Sequence, residues 1–151
     1  GKSHVLRIIR EIIEIEPDGK GTDITNALDH FLSAMKKRTV SFLLSDFRDS
    51  GYEELLKRAG RKHDFVALKI EDPIDLDIPD VGWLPLKDPE SGETKWMRTG
   101  SKKDRTKYKA IELERSDSLK RAFARAGIDS TTIRTDLPYI KPLMQLFDRR
   151  G

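Results

Sequence analysis

The stretch Thr39-Val40-Ser41-Phe42-Leu43-Leu44-Ser45-Asp46 decides the fold that we predict for this chain. Its apolar residues Val40, Phe42 and Leu44 alternate, and a further leucine adds apolar character to the other face, which predicts a short buried strand. The strand ends in Asp46. Because an open α/β sheet binds ligands outside the carboxyl ends of its strands, we expect the chemistry of this chain at that end.

The segment before the strand reads as an amphipathic helix that begins at Gly21-Thr22-Asp23. Apolar residues from Ile24 to Met35 follow the i, i+3, i+4, i+7 spacing of a helix, and Thr22 or Asp23 fits its N-cap. The basic residues 36–38 suit the negative end of the helix dipole.

Two loops of the predicted sheet therefore carry candidate ligands at one edge. The Thr22 hydroxyl and the Asp46 carboxylate form a pair of hard oxygen ligands suited to Mg²⁺, although they do not complete a site. Asp23 and Ser45 are placed to orient a metal-bound water, and each also has a simpler interpretation as a local hydrogen-bonding residue. For Thr22 that simpler interpretation is a helix N-cap, and for Asp46 it is a turn residue after a strand.

The remaining pattern predicts an α/β protein with a parallel sheet. Further helices are predicted at residues 4–16, 51–62, 101–126 and 137–149, and further strands at residues 65–70 and 131–135. Residues 83–86 and 94–98 are predicted to form a β-hairpin around residues 88–92, with a proline that favours an edge position.

Composition limits the function classes. The 151 residues fit one domain, which we predict to span residues 1–151. The 29 cationic and 26 anionic residues leave a net charge of +3, which argues against a nucleic-acid partner. The chain contains no cysteine and no apolar run of about 18 residues, so we expect a cytoplasmic protein without a membrane contact.

The order of these motifs resembles the bacterial family called domain of unknown function 58. The resemblance rests on His4-Val5-Leu6-Arg7, on residues 21–28 and on the strand from Arg38 to Phe47. Later pieces agree with it, among them His63-Asp64, Asp72-Pro73, residues 76–82, residues 88–92, Arg105 with Tyr108, residues 127–129 and Thr135-Asp136. The match extends over nearly the whole chain.

The resemblance implies a three-layer variant of the von Willebrand factor type A fold, which is Rossmann-like. The metal-ion-dependent adhesion site of that fold draws an Asp-x-Ser-x-Ser motif, a threonine and an aspartate from three loops. Thr22 matches the threonine and Asp46 the aspartate, whereas nothing here matches the first motif. The resemblance therefore implies the C-terminal portion of the domain, without its first strands. It implies an incomplete site that holds Mg²⁺ only in a longer protein, so we expect no metal bound to this chain.

Two function classes follow from these residues. The first is a non-catalytic protein-interaction module that binds its partner at the loops of Thr22 and Asp46. The resemblance implies a partner among the MoxR-type ATPases of the AAA+ class. The alternative is a metal-dependent phosphodiester hydrolase that uses Asp46, Glu71 and Asp72, with Asp49 nearby, as carboxylate ligands.

The missing strands have a further consequence. In the type A fold the strand ending at Asp46 lies beside the first strand, and without that neighbour residues 39–45 would present an open row of backbone groups. Unpaired edges of this kind invite pairing with another chain. We therefore expect a homodimer formed through residues 39–45.

Overall fold

The computed structural model of the protein describes residues 1–15, 22–87 and 94–151. Its helices are α1 (Lys2–Glu14), α2 (Ile24–Ala34), α3 (Glu53–Lys62), α4 (Lys102–Ala126) and α5 (Ile140–Asp148). Its strands are β1 (Val40–Ser45), β2 (Asp64–Glu71), β3 (Trp83–Lys87), β4 (Thr94–Arg98) and β5 (Asp129–Arg134). A short 3₁₀ helix, Pro73–Asp75, follows β2.

The central sheet contains three parallel strands in the order β1-β2-β5. The predicted α/β class and the parallel sheet are thus confirmed. In its register Leu43 lies beside Ala67, and Ala67 lies beside Ser130. Both β1 and β5 are edge strands of this sheet.

Helices pack on both faces of the sheet. Phe65 and Ala67 of β2 belong to a core that α2, α3 and α4 complete with Leu28, Leu56 and Phe123. Because side chains alternate along a strand, Val66 and Leu68 point the other way, and they pack against α5. These two cores give the three layers of helix, sheet and helix.

The strand β1 exposes the residues that its pattern predicts to be buried, so that part of the prediction is wrong. Val40, Phe42 and Leu44 are 63%, 45% and 60% exposed, whereas Leu43 packs against the core under α2 and α3. In the register these three residues lie beside β2 residues that point toward α5. Among the described elements, α5 covers β2 and β5 and leaves most of this face of β1 open.

The first helix is amphipathic and stays exposed among the described residues. None of the residues Lys2–Glu14 is buried. Its exposed apolar residues are Val5, Leu6, Ile8, Ile9, Ile12 and Ile13. Within the described ranges, every helix is too short or too polar to cross a bilayer.

The predicted hairpin is confirmed by the antiparallel pair β3 and β4, which forms a separate two-stranded sheet between β2 and α4. Its predicted turn at residues 88–92 lies outside the described residues. The helix α4 begins after Ser101, whose hydroxyl accepts a hydrogen bond from the Asp104 N–H, and ends at Gly127 in the left-handed conformation. The last helix begins at Ile140, three residues later than predicted, with Pro138 just before it.

Candidate functional site

The loop that joins β1 to α3, residues 46–52, folds around a buried aromatic ring. Phe47 adopts a positive φ of 55°, a conformation that costs a side chain about 1–2 kcal/mol. Its ring is 2% exposed and lies 5.0 Å from the Phe123 ring and 6.2 Å from the Tyr52 ring, measured between centroids. Packing of this ring holds the loop in its unusual backbone conformation.

Hydrogen bonds fix the same loop on both sides of Phe47. The Phe47 N–H donates to Ser45 Oγ at 3.0 Å, and the Arg48 N–H donates to Asp46 Oδ1 at 3.1 Å. The Phe47 carbonyl accepts a bond from the Arg115 guanidinium of α4 at 3.1 Å. Asp46 itself remains exposed at the carboxyl end of β1. The loop therefore presents this carboxylate from a fixed backbone.

The start of α2 is tied to the same loop, as the predicted topology requires. Asp23 is the N-cap and accepts a bond from the Asn26 N–H at 2.7 Å. Asp49 accepts a bond from the Ile24 N–H at 2.8 Å, which links the loop to the first turn of α2. We call residues 22–24 and 45–50 together the loop edge. From the sequence, Asp49 is predicted only as a possible hydrolase ligand, and its position three residues after Asp46 does not indicate that it caps α2.

The candidate ligands do not form a metal site by themselves. Thr22 is exposed and does not act as the cap, since Asp23 does. Ser45 and Asp46 each use an oxygen for the backbone of the loop. In the described ranges no three His, Asp or Glu side chains are grouped closely enough to hold a metal ion. Mg²⁺ needs about six oxygen ligands, so these residues do not fit a bound ion without ligands from elsewhere.

A cavity of about 300 Å³ lies between the loop and α4. Arg48 at its wall pairs with Asp75 at 3.0 Å and with Glu112 at 3.2 Å. Burial acts to lower the pKa of Arg48, but Glu112 and Asp75 outweigh it and the pKa is raised. Burial, with help from nearby acids, raises the pKa of Tyr52 to about 12, so its hydroxyl stays protonated near neutral pH. Within this wall, Arg48 and Glu112 neutralise each other.

The carboxylates of the alternative hydrolase have other partners. Glu71 is buried and pairs with Lys69 at 2.6 Å, on the face of the sheet that α4 covers. Asp72 caps the 3₁₀ helix by accepting a bond from the Ile74 N–H at 3.0 Å, and it also accepts one from the Thr135 hydroxyl. Both carboxylates therefore already have partners within the chain, one in an ion pair and one in a cap.

Weak binding of Mg²⁺ is the first expected result. With Thr22 and Asp46 as its protein ligands, the ion would keep most of its water, so we expect a dissociation constant no tighter than about 1 mM, equivalent to about −4 kcal/mol. Isothermal titration calorimetry measures this value. Micromolar binding that an Asp46→Ala change abolishes would contradict the expectation.

Comparisons with known proteins give a family of unknown function and relatives that are uncharacterized. The family described as protein of unknown function DUF58 matches residues 1–118. An uncharacterized protein of Mycobacterium avium is 26% identical over 89% of this chain and 79% of its own length. Uncharacterized proteins of Mycobacterium bovis and Mycobacterium tuberculosis are each 24% identical over 99% of this chain. The chain spans 48% of the length of those two relatives. No solved structure matches the chain significantly.

Proposed function

Since the chain belongs to the family of proteins of unknown function DUF58, we propose that it is a non-catalytic interaction module that binds a protein partner at its loop edge. The observation that carries the proposal is the exposed Asp46 carboxylate on a loop held from two sides, by Arg115 of α4 and by the bond between Asp49 and α2. A fixed loop loses little entropy on binding, which favours recognition.

Three of the four carboxylates named for the hydrolase have partners within the chain, which supports the same proposal. The carboxylates Glu71 and Asp72 are engaged in an ion pair and in a cap, and Asp49 caps α2. Exposed apolar residues along α1 and β1 are typical of a chain that works within an assembly. Both features support an interaction module over a hydrolase.

The partner that we propose is an AAA+ ATPase of the MoxR type, as the resemblance to the domain of unknown function 58 family implies. Asp46 would accept hydrogen bonds from basic side chains of the ATPase, and the exposed Thr22 hydroxyl of the loop edge would act as a neutral donor. Charge-assisted bonds of this kind set the orientation of an interface and slow its dissociation. The contact requires no ion held by this chain.

The test measures binding of the purified chain to an immobilised MoxR-type ATPase from the same genome. Asp46→Asn removes the charge but keeps an oxygen for the Arg48 N–H, so the fold should stay intact and the affinity should fall about tenfold or more. Asp29→Asn, on the exposed side of α2, is the matched control and should bind like the parent chain. Equal affinity of the parent and the Asp46→Asn chain would refute the role of Asp46.

A further inference from the structure

A polar groove lies between α4 and β5, on the side of the sheet that α4 covers. It consists of two adjoining cavities of about 280 and 430 Å³, which share Lys120, Ser130 and Arg149 in their walls. Volumes of about 300–1,000 Å³ are typical of small-molecule sites. The described residues of its walls come from β2, α4, β5, the turn between α4 and β5, and the residue after α5. The groove is therefore built without β1 and without the loop edge.

Hydroxyl groups of β5 line the smaller of the two cavities. In the parallel register Ser130 lies beside Ala67 and Thr132 beside Lys69, so both hydroxyl side chains share the face that α4 covers. Both residues are half-buried, and their hydroxyls have no hydrogen-bond partner in the part of the chain that the structure describes. Each hydroxyl can therefore donate a hydrogen bond to a ligand in the groove.

A largely buried lysine lines the same cavity from the sheet. The Lys69 ammonium donates to a Glu71 oxygen at 2.6 Å and to the Ser116 hydroxyl of α4 at 3.2 Å. These two contacts hold the ammonium in place, and Glu71 balances its charge. An ammonium has three N–H donors, so one donor remains for a ligand. Lys69 thus contributes a positioned donor to the cavity rather than a net charge.

The net positive charge of the groove comes from two further cations. Lys120 contacts Asp117 at 3.4 Å, but their side chains are 64% and 61% exposed, and such pairs are weak. Arg149 forms no ion pair with a described residue and contacts only a carbonyl of β5, at 3.5 Å. Among the described residues, no carboxylate lines the smaller cavity. Asp129 in the larger cavity is paired with Arg150 at 3.2 Å.

We propose that this groove binds a phosphate group, either as free phosphate or as the end of a small phosphate monoester. A phosphate offers three or more acceptor oxygens, and the cavity offers donors of two kinds to match them. Arg149 and Lys120 supply charged donors, of which the planar guanidinium fits two phosphate oxygens at once. Lys69, Ser130 and Thr132 supply the donors on the side of the sheet. The larger cavity has room for the organic part of a monoester.

Heteronuclear NMR titration of the chain at constant ionic strength locates the site and measures its affinity. Inorganic phosphate and glycerol 3-phosphate should both give saturable shifts of the backbone amides of residues 119–120 and 130–132, and glycerol alone should give none. Tighter binding of glycerol 3-phosphate identifies a monoester as the ligand, and equal or weaker binding identifies free phosphate. Shifts that do not saturate, or that lie outside the groove, overturn the proposal.

Variants separate a built site from attraction by the overall charge. Arg149→Gln should weaken phosphate binding about tenfold, and Thr132→Val, which keeps both shape and charge, about threefold or more. Arg61→Gln removes the same charge from an exposed position of α3 and should bind phosphate like the parent chain. Equal weakening by Arg61→Gln and Arg149→Gln would refute the site. The Arg149→Gln chain keeps Asp46 and should bind the ATPase like the parent chain, so the two proposals fail separately.

Discussion

Replacing Phe47 by alanine is expected to lower the free energy of unfolding by about 3–5 kcal/mol. The Phe47 ring fills the space between Phe123 of α4 and Tyr52 at the start of α3, so its loss leaves a cavity where the loop, α3 and α4 meet. Alanine also keeps the cost of the positive φ, because it has a Cβ. The loop edge would lose its main anchor in the core.

Urea denaturation measures this effect, and a glycine variant separates its two causes. Phe47→Gly removes the same ring but adopts a positive φ freely, so it should be less destabilising than Phe47→Ala by about 1 kcal/mol, the reverse of the usual order. Tyr139→Ala, at an exposed aromatic residue, should change stability by no more than about 0.5 kcal/mol. If Phe47→Ala lowered the free energy of unfolding no more than Tyr139→Ala does, the packing described for Phe47 would be contradicted.

Replacing Gly60 by alanine is expected to cause the second large loss of stability. A Cβ there would lie 2.5 Å from the Ala126 carbonyl oxygen and 2.8 Å from Ile128 Cγ1, where α3 meets the end of α4. Helix propensity favours alanine by about 1 kcal/mol, but overpacking against a backbone atom typically costs about 1–3 kcal/mol. We expect the clash to outweigh the gain in helix propensity. The carbonyl oxygen belongs to the backbone and cannot move aside as the end of a flexible side chain could.

Thermal or urea denaturation of the Gly60→Ala chain shows whether its free energy of unfolding is lower or higher than that of the parent. Arg61→Ala, the next residue along α3, gains helix propensity without a clash and should leave stability within about 0.5 kcal/mol of the parent. A Gly60→Ala chain that is more stable than the parent would mean that α3 lies farther from α4 than described.

Periodicity predicts the elements of this chain well, because helices and strands differ in the spacing of their apolar residues. It places α2, β1, α3 and β2 in the right order, and the parallel topology then brings the start of α2 to the carboxyl end of β1. The confirmed elements therefore include α2, which begins just after Thr22 and Asp23, and β1, which ends at Ser45 just before Asp46.

The side that each strand buries depends on tertiary packing and is not encoded in alternation alone. The pattern of β1 predicts an apolar face correctly, but the described helices cover the opposite face, which carries Leu43 between Ser41 and Ser45. Positive φ at Phe47 was not predictable either, since a phenylalanine in that conformation is held by contacts with residues distant in sequence.

The details of the site were only partly predictable, because they also depend on tertiary contacts. Two residues at the predicted helix start, Thr22 and Asp23, could act as the N-cap, and local geometry decides between them. In the structure the N-cap is Asp23. The link from Asp49 to the Ile24 N–H spans 25 residues, so no local pattern indicates it. Similarly, the pairing of Glu71 with Lys69 becomes visible only once α4 is seen to cover that face of β2.

Hydrogen–deuterium exchange of the chain, with and without the MoxR-type ATPase, tests the proposed interaction site most directly. The proposal predicts slower exchange on binding in peptides that cover residues 22–24 and 45–50. Peptides that cover α5 should exchange as they do in the free chain. Protection confined to α1 or to β5, with the loop edge exchanging as in the free chain, would contradict the assignment of the loop edge as the binding surface.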